Sequence, residues 1–358
     1  MRFSKSLLMM FAGLGLFACN NNDDIVEGGK IEGPADVVVK IDLPNVKTRT
    51  VTDPTTGNNS GDKVDAVVDK IYVTLNASKG GTTKELTDET SVVFSDVEGP
   101  SNVVVSVNYD HSKGDYTFNF DAANATGVGL KTPMYGENNN FIQSEGKATI
   151  EVEVKHLLAR MEFSGIKHEH KLAAADCIFK EENLTLAGSF LKGVGTEVNT
   201  WDDFDKSNWD KFGGLFKADE TTTYPANGQC IAYNIEDGTR PVFYLAFDKV
   251  EYSDVYSAAN NNAIWAGNGH GYAYVSTYKI NKGTLTNDDL EKFGAQETGV
   301  DGVYSITKFP AGYIYKVTEL AVPDEAIHPT IDGKGIEVTA TVKILPWTVV
   351  LGEVEWQE

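Results

Sequence analysis

Residues 36–43 read Asp36-Val37-Val38-Val39-Lys40-Ile41-Asp42-Leu43, a run that alternates between two kinds of side chain. Val37, Val39, Ile41 and Leu43 fall on one face, whereas Asp36, Lys40 and Asp42 fall on the other. A period of two residues is the pattern of a β-strand with one buried face. The same pattern predicts further strands at residues 71–75, 102–107, 116–120, 149–155, 156–163, 241–247, 271–280 and 312–320.

Helical patterns are few and short. Residues 287–293 and 201–212 could each form a short helix, but neither keeps an apolar stripe over more than about three turns. Many short strands separated by Gly-rich turns, without a βαβ rhythm, indicate β-sandwiches. We therefore predict an all-β chain of two tandem sandwiches with short helical insertions. The first covers residues 50–155 and the second residues 156–358, with long insertions between 167 and 311.

The composition fits a folded, exported protein. The chain has 358 residues, enough for two domains, with 41% hydrophobic and 23% charged residues. Its formal charge of −21 argues against nucleic acid or an anionic membrane surface as a partner. Repulsion between such subunits also means that a polymer would be held together by backbone pairing and apolar burial.

The first residues have the pattern of an export signal. Arg2 and Lys5 precede an apolar run at residues 7–17, which is too short to span a bilayer. Leu16-Phe17-Ala18-Cys19 resembles a bacterial lipobox, in which the cysteine sulfur is acylated. We predict a signal peptide at residues 1–18 and lipidation at Cys19, which would attach the precursor to the outer membrane. The alternative is a plain signal peptide with a chance cysteine.

The other two cysteines are Cys177 and Cys230. An even pair in an exported chain makes a disulfide possible. Their spacing does not show whether their Cα atoms come within bridging range, so a pair of buried thiols is an equal alternative.

The two ends of the chain have complementary patterns. Residues 51–63, after the first strand, are rich in Thr, Pro, Gly, Asn and Ser and should be exposed to proteases. At the other end an apolar tail would be an aggregation hazard unless it pairs within its own domain or in another subunit. Its apolar residues are Ile336, Val338, Ala340, Val342, Ile344, Trp347, Val349, Leu351, Val354 and Trp356.

In these features the chain resembles the Bacteroidales fimbrillins, the subunits of type V pili. The resemblance rests on the lipobox at Cys19, the early strand followed by Arg49, the phrase His156-Leu157-Leu158-Ala159-Arg160-Met161-Glu162-Phe163, and a Pro346-Trp347 tail that ends in Val354-Glu355-Trp356. These features occur in the same order as in that family, over nearly the whole chain.

The resemblance implies a maturation route. An arginine-specific protease would cut between Arg49 and Thr50 and remove a propeptide at residues 19–49 together with the leaving strand at 36–43. Each domain would be transthyretin-like. The vacated groove would accept the donor strands at 336–356 of the next copy. The implied partners are further copies, accessory pilins, the protease and, through lipid, the outer membrane. The product would be a cell-surface fimbria that supports adhesion.

The sequence carries no recognisable catalytic motif, and we predict no enzyme activity, no cofactor and no metal site. His168 and His170 lie two residues apart, which is too few ligands for zinc. The acidic residues at 202–210 lack EF-hand spacing. The glycines at 267, 269 and 271 are predicted to form a turn.

Two alternatives stay open. Within the same family the chain could be a tip or anchor subunit. It could instead be a surface lipoprotein that binds glycans through Trp201, Trp209 or Trp265, with its C-terminal strands in its own sheet.

Overall fold

A computed structural model describes residues 33–44, 66–87, 89–123, 131–144, 146–163, 166–169, 178–180, 185–192, 231–330, 338–346 and 349–351. Within these ranges the chain is mostly β, with two mixed sheets and only short helices, which confirms the predicted fold class.

The first sheet has eight strands, in the order β4-β3-β5-β1-β8-β7, with β6 paired to β5 and β9. Most neighbours are antiparallel, but β1 and β8 run parallel. The strands are β1 (Ala35–Asp42), β3 (Ile71–Lys79), β4 (Thr82–Leu86), β5 (Ser91–Val107), β6 (Met134–Asn138), β7 (Ile142–Ser144), β8 (Lys147–Glu153) and β9 (Lys155–His156).

The long strand β5 joins two parts of this sheet. Its first half pairs with β1, and its second half pairs with β3 and β6. Asp96 and Gly99, near the middle, both have a φ of 55°, in the left-handed region. Such residues bend a strand, so β5 passes from one part of the sheet to the other. Side chains of β1, β3, β5 and β8 meet in a single core, the first core.

The second sheet has ten strands, in the order β12-β14-β15-β19-β18-β10-β13. Off this path, β11 pairs with β18, and β17 pairs with β15 and β16. The strands are β10 (Leu158–Phe163), β11 (Ile166–Glu169), β12 (Thr185–Lys192), β13 (Ile231–Glu236), β14 (Val242–Asp248), β15 (His270–Asn281), β16 (Gln296–Glu297), β17 (Val303–Ile306), β18 (Tyr313–Pro323) and β19 (Val338–Pro346).

The core of the second sheet, the second core, is rich in aromatic side chains. The rings of Phe163 and Phe243 stack at 3.5 Å between centroids, and Tyr278 packs edge-on against Phe309. The Tyr278 hydroxyl donates to the carbonyl of Pro241. Aromatic residues of this kind bury large apolar areas, and their polar ends find hydrogen-bond partners.

A third, small sheet joins the N-terminal and C-terminal parts of the chain. It consists of β2 (Ala66–Val68) and β20 (Val349–Leu351), which run parallel. Ala66 and Val68 are fully buried in the first core. Residues 349–351 therefore lie beside β2 in the monomer.

The helices are α1 (Phe120–Ala123), α2 (Asp254–Ala259) and α3 (Asn287–Lys292). The helix predicted at 287–293 is confirmed, and a capping box between Thr286 and Asp289 explains where it begins. The strand predicted at 116–120 is wrong, because Asn119 Oδ1 accepts from the Ala122 amide and starts α1 instead. No helix in the described ranges is long and apolar enough to cross a membrane.

The single strand predicted at 156–163 is in fact two strands in different sheets. β9 belongs to the first sheet and β10 to the second, and the Leu157 amide between them donates to the carbonyl of Pro133. Ala159, Met161 and Phe163 enter the second core as predicted, whereas Leu158 enters the first core. The chain thus crosses between the sheets at Leu157.

Candidate strand-exchange site

The first strand lies inside its sheet. Val39 of β1 pairs with Val92 of the antiparallel β5 on one side and with Ile150 of the parallel β8 on the other. If β1 left, it would open a gap between two strands rather than expose one more edge. A strand that entered this gap would find hydrogen-bond partners on both sides.

The apolar face of β1 is buried in the first core. Val37 and Val39 have no exposed surface, and Ile41 and Leu43 are 7% and 4% exposed. This burial matches the alternation in the sequence. At about 1.5–3 kcal/mol for each buried side chain, the four contribute about 6–12 kcal/mol. Their proposed role in strand exchange is not tested by the fold and stays a prediction.

Backbone hydrogen bonds hold the C-terminal end of β1 to its neighbours. The Ile41 amide donates to the carbonyl of Thr90 at 2.9 Å, and the Val154 amide donates to the carbonyl of Asp42 at 2.8 Å. Loss of β1 would leave these groups of Thr90 and Val154 without their partners. Val154 is 1% exposed, and a buried backbone amide without a partner is costly, so the gap favours the entry of another strand.

The C-terminal segment is divided between two places. β19 lies in the middle of the second sheet, parallel to β15 and antiparallel to β18. Ala340 and Val342 are buried in the second core, and Ile344 packs against it. Withdrawal of β19 would therefore break the second core as well as two strand ladders.

β20 has a much shorter described ladder than β19. Its described part is three residues long and forms a parallel ladder with β2, in which Ala66 pairs with Val349 and Val68 with Leu351. So short a ladder can open while the rest of the fold stays intact. Sequence reasoning overlooked β2, although its apolar Ala66-Val67-Val68, set between Asp65 and Asp69, is the available signal.

Several predicted site residues lie outside the described residues, and the structure places none of them. They are Cys19, Arg49, Thr50, Cys177, Cys230, Ile336, Trp347, Val354 and Trp356. The same holds for His170, for the acidic residues at 202–210, and for Trp201 and Trp209.

Trp265 does not form an exposed platform. It is 8% exposed, and its ring contacts Phe179 and Tyr252 edge-on. Its Nε1 donates to the carbonyl of His270, within the turn predicted around Gly269, which has a φ of 85°. Because a sugar-stacking ring needs an open face, this position argues against glycan binding at Trp265. Among the described residues no cluster of His, Cys, Asp or Glu is arranged to hold a metal ion.

The described part of the chain defines an all-β class of protein, with two mixed sheets and a first strand set between two others. No family model matches the chain, and no curated protein matches its sequence. Solved structures do resemble it over most of its length.

Two of these come from Porphyromonas gingivalis. The chain is similar to a fimbrilin, at 14% identity and a TM-score of 0.47, over 88% of this chain and 99% of the other. It is also similar to a C-terminally truncated tip fimbrial protein, at 8% identity and a TM-score of 0.39, over 87% and 100%. A putative cell adhesion protein from Parabacteroides distasonis gives 11% identity and a TM-score of 0.45, over 91% and 99%.

Proposed function

We propose that the chain is a structural subunit of a cell-surface fimbria, without catalytic activity, that polymerises by donor-strand exchange after proteolysis. The observation that carries this proposal is the placement of β1. It fills a two-sided slot with its apolar face buried, and the predicted cleavage position at Arg49 follows it within a few residues. In this scheme the precursor is exported, lipidated at Cys19, and then cut after Arg49, which severs the covalent link between the subunit and the lipidated segment that contains β1.

The placement of β19 narrows the proposed donor. Because Ala340 and Val342 support the second core, we restrict the donor to residues 347–356, after Pro346. Trp347, Val349 and Leu351 alternate in this segment, and Val354 and Trp356 continue the alternation after Gly352. This segment keeps the apolar pattern that the slot requires, and its removal leaves the second sheet complete.

Arginine-specific cleavage suits this chain because arginine is scarce in it. Beyond the signal peptide the sequence has only Arg49, Arg160 and Arg240. Arg160 is 3% exposed within β10, so it is closed to a protease. Arg240 is exposed and precedes Pro241, and replacing it by lysine leaves Arg49 as the cleavage site expected of this set.

The test uses purified precursor that carries Arg240→Lys, incubated with an arginine-specific protease. We expect ladders that resist mild heating in detergent. Arg49→Ala should give none, and neither should a protein that ends at Pro346. Exchange of residues 47–50 for the site of a different sequence-specific protease should restore ladders with that enzyme. Ladders from uncut Arg49→Ala would contradict the proposal.

The same experiment separates a stalk subunit from an accessory one. A stalk subunit both accepts a strand and donates one, so the purified protein alone should form long ladders. A subunit that stops at dimers, or assembles only with another pilin, would be a tip or anchor. We propose the stalk role because slot and tail are both in this chain.

A further inference from the structure

The first sheet has an outward face on β5, β1, β8 and β7. Val37 and Val39 enter the first core, so Val38 between them points away from it. Val38 lies opposite Val93 of β5 on one side and opposite Thr149 of β8 on the other. Thr149 in turn lies opposite Ile142 of β7. We call these four residues, Val93, Val38, Thr149 and Ile142, the outward row.

The outward row is partly open to solvent. Val93 is 46% exposed and Ile142 is 51% exposed. They are two of the five large apolar side chains that are exposed in the described part of the chain. Exposed apolar residues that lie together, rather than singly, are typical of a contact surface.

Charged side chains flank the outward row on both sides. Two residues beyond it on β1 and β8, Lys40 lies opposite Glu151. Two residues before it, Asp36 lies opposite Lys147. The four charges therefore form a rectangle in which like charges occupy the diagonals. In the described part of the chain none of these four side chains is in a salt bridge, so a partner can pair with them.

The charges around the outward row also cancel one another. The chain has a formal charge of −21, and a large net charge opposes contact between copies. Two positive and two negative side chains surround the row, so this part of the face is locally neutral. A second copy can approach it with less repulsion than the net charge implies.

A second copy of the same face matches the first in charge. Two identical faces that pack together are related by a two-fold axis between them. If the axis runs along the outward row, Lys40 meets Asp36 of the second copy, and Glu151 meets Lys147. If the axis runs parallel to the strands, between β1 and β8, Lys40 meets Glu151 and Asp36 meets Lys147. Either axis therefore places each of the four charges opposite its counter-ion and stacks the row on itself.

We propose that this outward face joins two copies of the precursor, with both β1 strands inside the contact. Sheets pack face to face at a distance of about 10 Å, which the flanking side chains can bridge. Four strands and five residues along each give a face of about 19 Å by about 17 Å. A contact of this size is at the lower end of specific interfaces, so the dimer should be weak and reversible.

The proposed contact belongs to the precursor, because departure of β1 would remove Asp36, Val38 and Lys40 from the face. Pairing of the uncut protein does not itself require strand exchange. The two processes can therefore be measured separately on the same protein, pairing before cleavage and ladders after it.

The first test is sedimentation of the purified precursor between about 10 μM and about 500 μM, where a weak dimer should form reversibly. Lys40→Asp and Asp36→Lys should each weaken pairing at least about tenfold, because like charges then meet under either axis. Lys70→Asp makes the same change of charge at an exposed site outside the face and should pair like the wild type. A monomeric wild type, or equal affinities for all four proteins, would overturn the proposal.

The second test mixes variants that do not pair alone. With the axis along the row, Asp36→Lys mixed with Lys40→Asp should restore dimers, because lysines of one copy meet aspartates of the other. With the axis parallel to the strands, Lys40→Asp mixed with Glu151→Lys should restore them instead. Dimers from neither mixture would overturn the proposal. A wild type that stays monomeric but forms ladders after cleavage would refute the pairing alone, whereas dimers without ladders would refute only the exchange.

Discussion

Arg160 Nε donates to Glu162 Oε1 at 2.9 Å on the face of β10 that points away from the second core, and both side chains are only 4% exposed. Asn234, next to Arg160 on β13, donates its Nδ2 to the carbonyl of Ala123 in α1. The outer face of β10 is thus buried where the two sheets meet. Leu158 and Ile314 enter the first core at the same junction.

Removal of one member of this ion pair should be strongly destabilising. Arg160→Met removes the guanidinium that donates to the buried Glu162 carboxylate, and we expect a loss of about 3–5 kcal/mol in the free energy of unfolding. Arg160→Met with Glu162→Leu removes both charges and should recover most of that loss. Denaturant titrations of Arg160→Met, Glu162→Leu and the double variant give the coupling free energy between the two side chains.

The matched control is the exposed pair of Lys70, which directly precedes β3, and Glu85 on β4. Lys70→Met should leave the denaturation midpoint unchanged, because solvent screens exposed ion pairs. A midpoint for Arg160→Met equal to that of the control would contradict the burial of the pair.

The slot of β1 can be probed with two isoleucines. Ile41 on β1 is 7% exposed and lies in the first core, whereas Ile142 on β7 is 51% exposed. Ile41→Ala should lower the stability of the precursor by about 2–5 kcal/mol, through lost burial and a residual cavity. Ile142→Ala should change it by less than about 0.5 kcal/mol. Thermal and urea unfolding measure the stability change that each variant causes. Similar changes for Ile41→Ala and Ile142→Ala would show that β1 does not fill the first core.

The parts of the fold that the sequence predicts are those with local signals. β1 was predictable because Val37, Val39 and Ile41 alternate with polar residues over a strand length. α3 was predictable because Thr286 and Asp289 form a capping box. Such signals depend on neighbours along the chain, so a single sequence contains them.

The position of each strand within its sheet has no such signal. The alternation of β19 does not reveal that Ala340 pairs with Tyr278 of β15, more than sixty residues earlier. The same holds for the outer face of β10, where Arg160 and Glu162 resemble solvated charges in the sequence, although the fold buries both. The sequence therefore predicted the strands of the candidate site. It did not predict which strands lie beside them, because strand pairing joins residues that are far apart in the chain.

Two truncations should separate the structural part of the tail from the proposed donor. A protein that ends at Pro346 keeps β19 and should fold with cooperative unfolding, but should form no ladders after cleavage. A protein that ends at residue 335 loses the central strand of the second sheet and should expose its core. Circular dichroism and dye binding to exposed apolar surface distinguish them. Cooperative unfolding of the shorter protein would contradict the central placement of β19.

His328 should make stability depend on pH. Burial lowers the pKa of His328 below its ordinary value of 6.5, against the opposing effect of a hydrogen bond to the backbone at Glu325. The unfolded chain then binds the proton more readily, so this contribution is complete above pH 6.5 and is lost as the pH falls. His328→Gln should lose less stability than the wild type between about pH 7.5 and about pH 5.5. Equal losses in both proteins would contradict the burial of a neutral imidazole.

The last prediction concerns what happens to β1 after the cut at Arg49. Ladders of hydrogen bonds on both sides and four buried side chains hold the strand, so cleavage alone should not release it. The cut peptide should remain bound in size-exclusion chromatography and native mass spectrometry, and should leave only as a donor strand enters. Under that mechanism Ile41→Ala weakens the hold on β1 and should speed polymerisation, while Ile142→Ala should not. Free peptide immediately after cleavage, with equal polymerisation rates for all three proteins, would mean that replacement of β1 does not limit assembly.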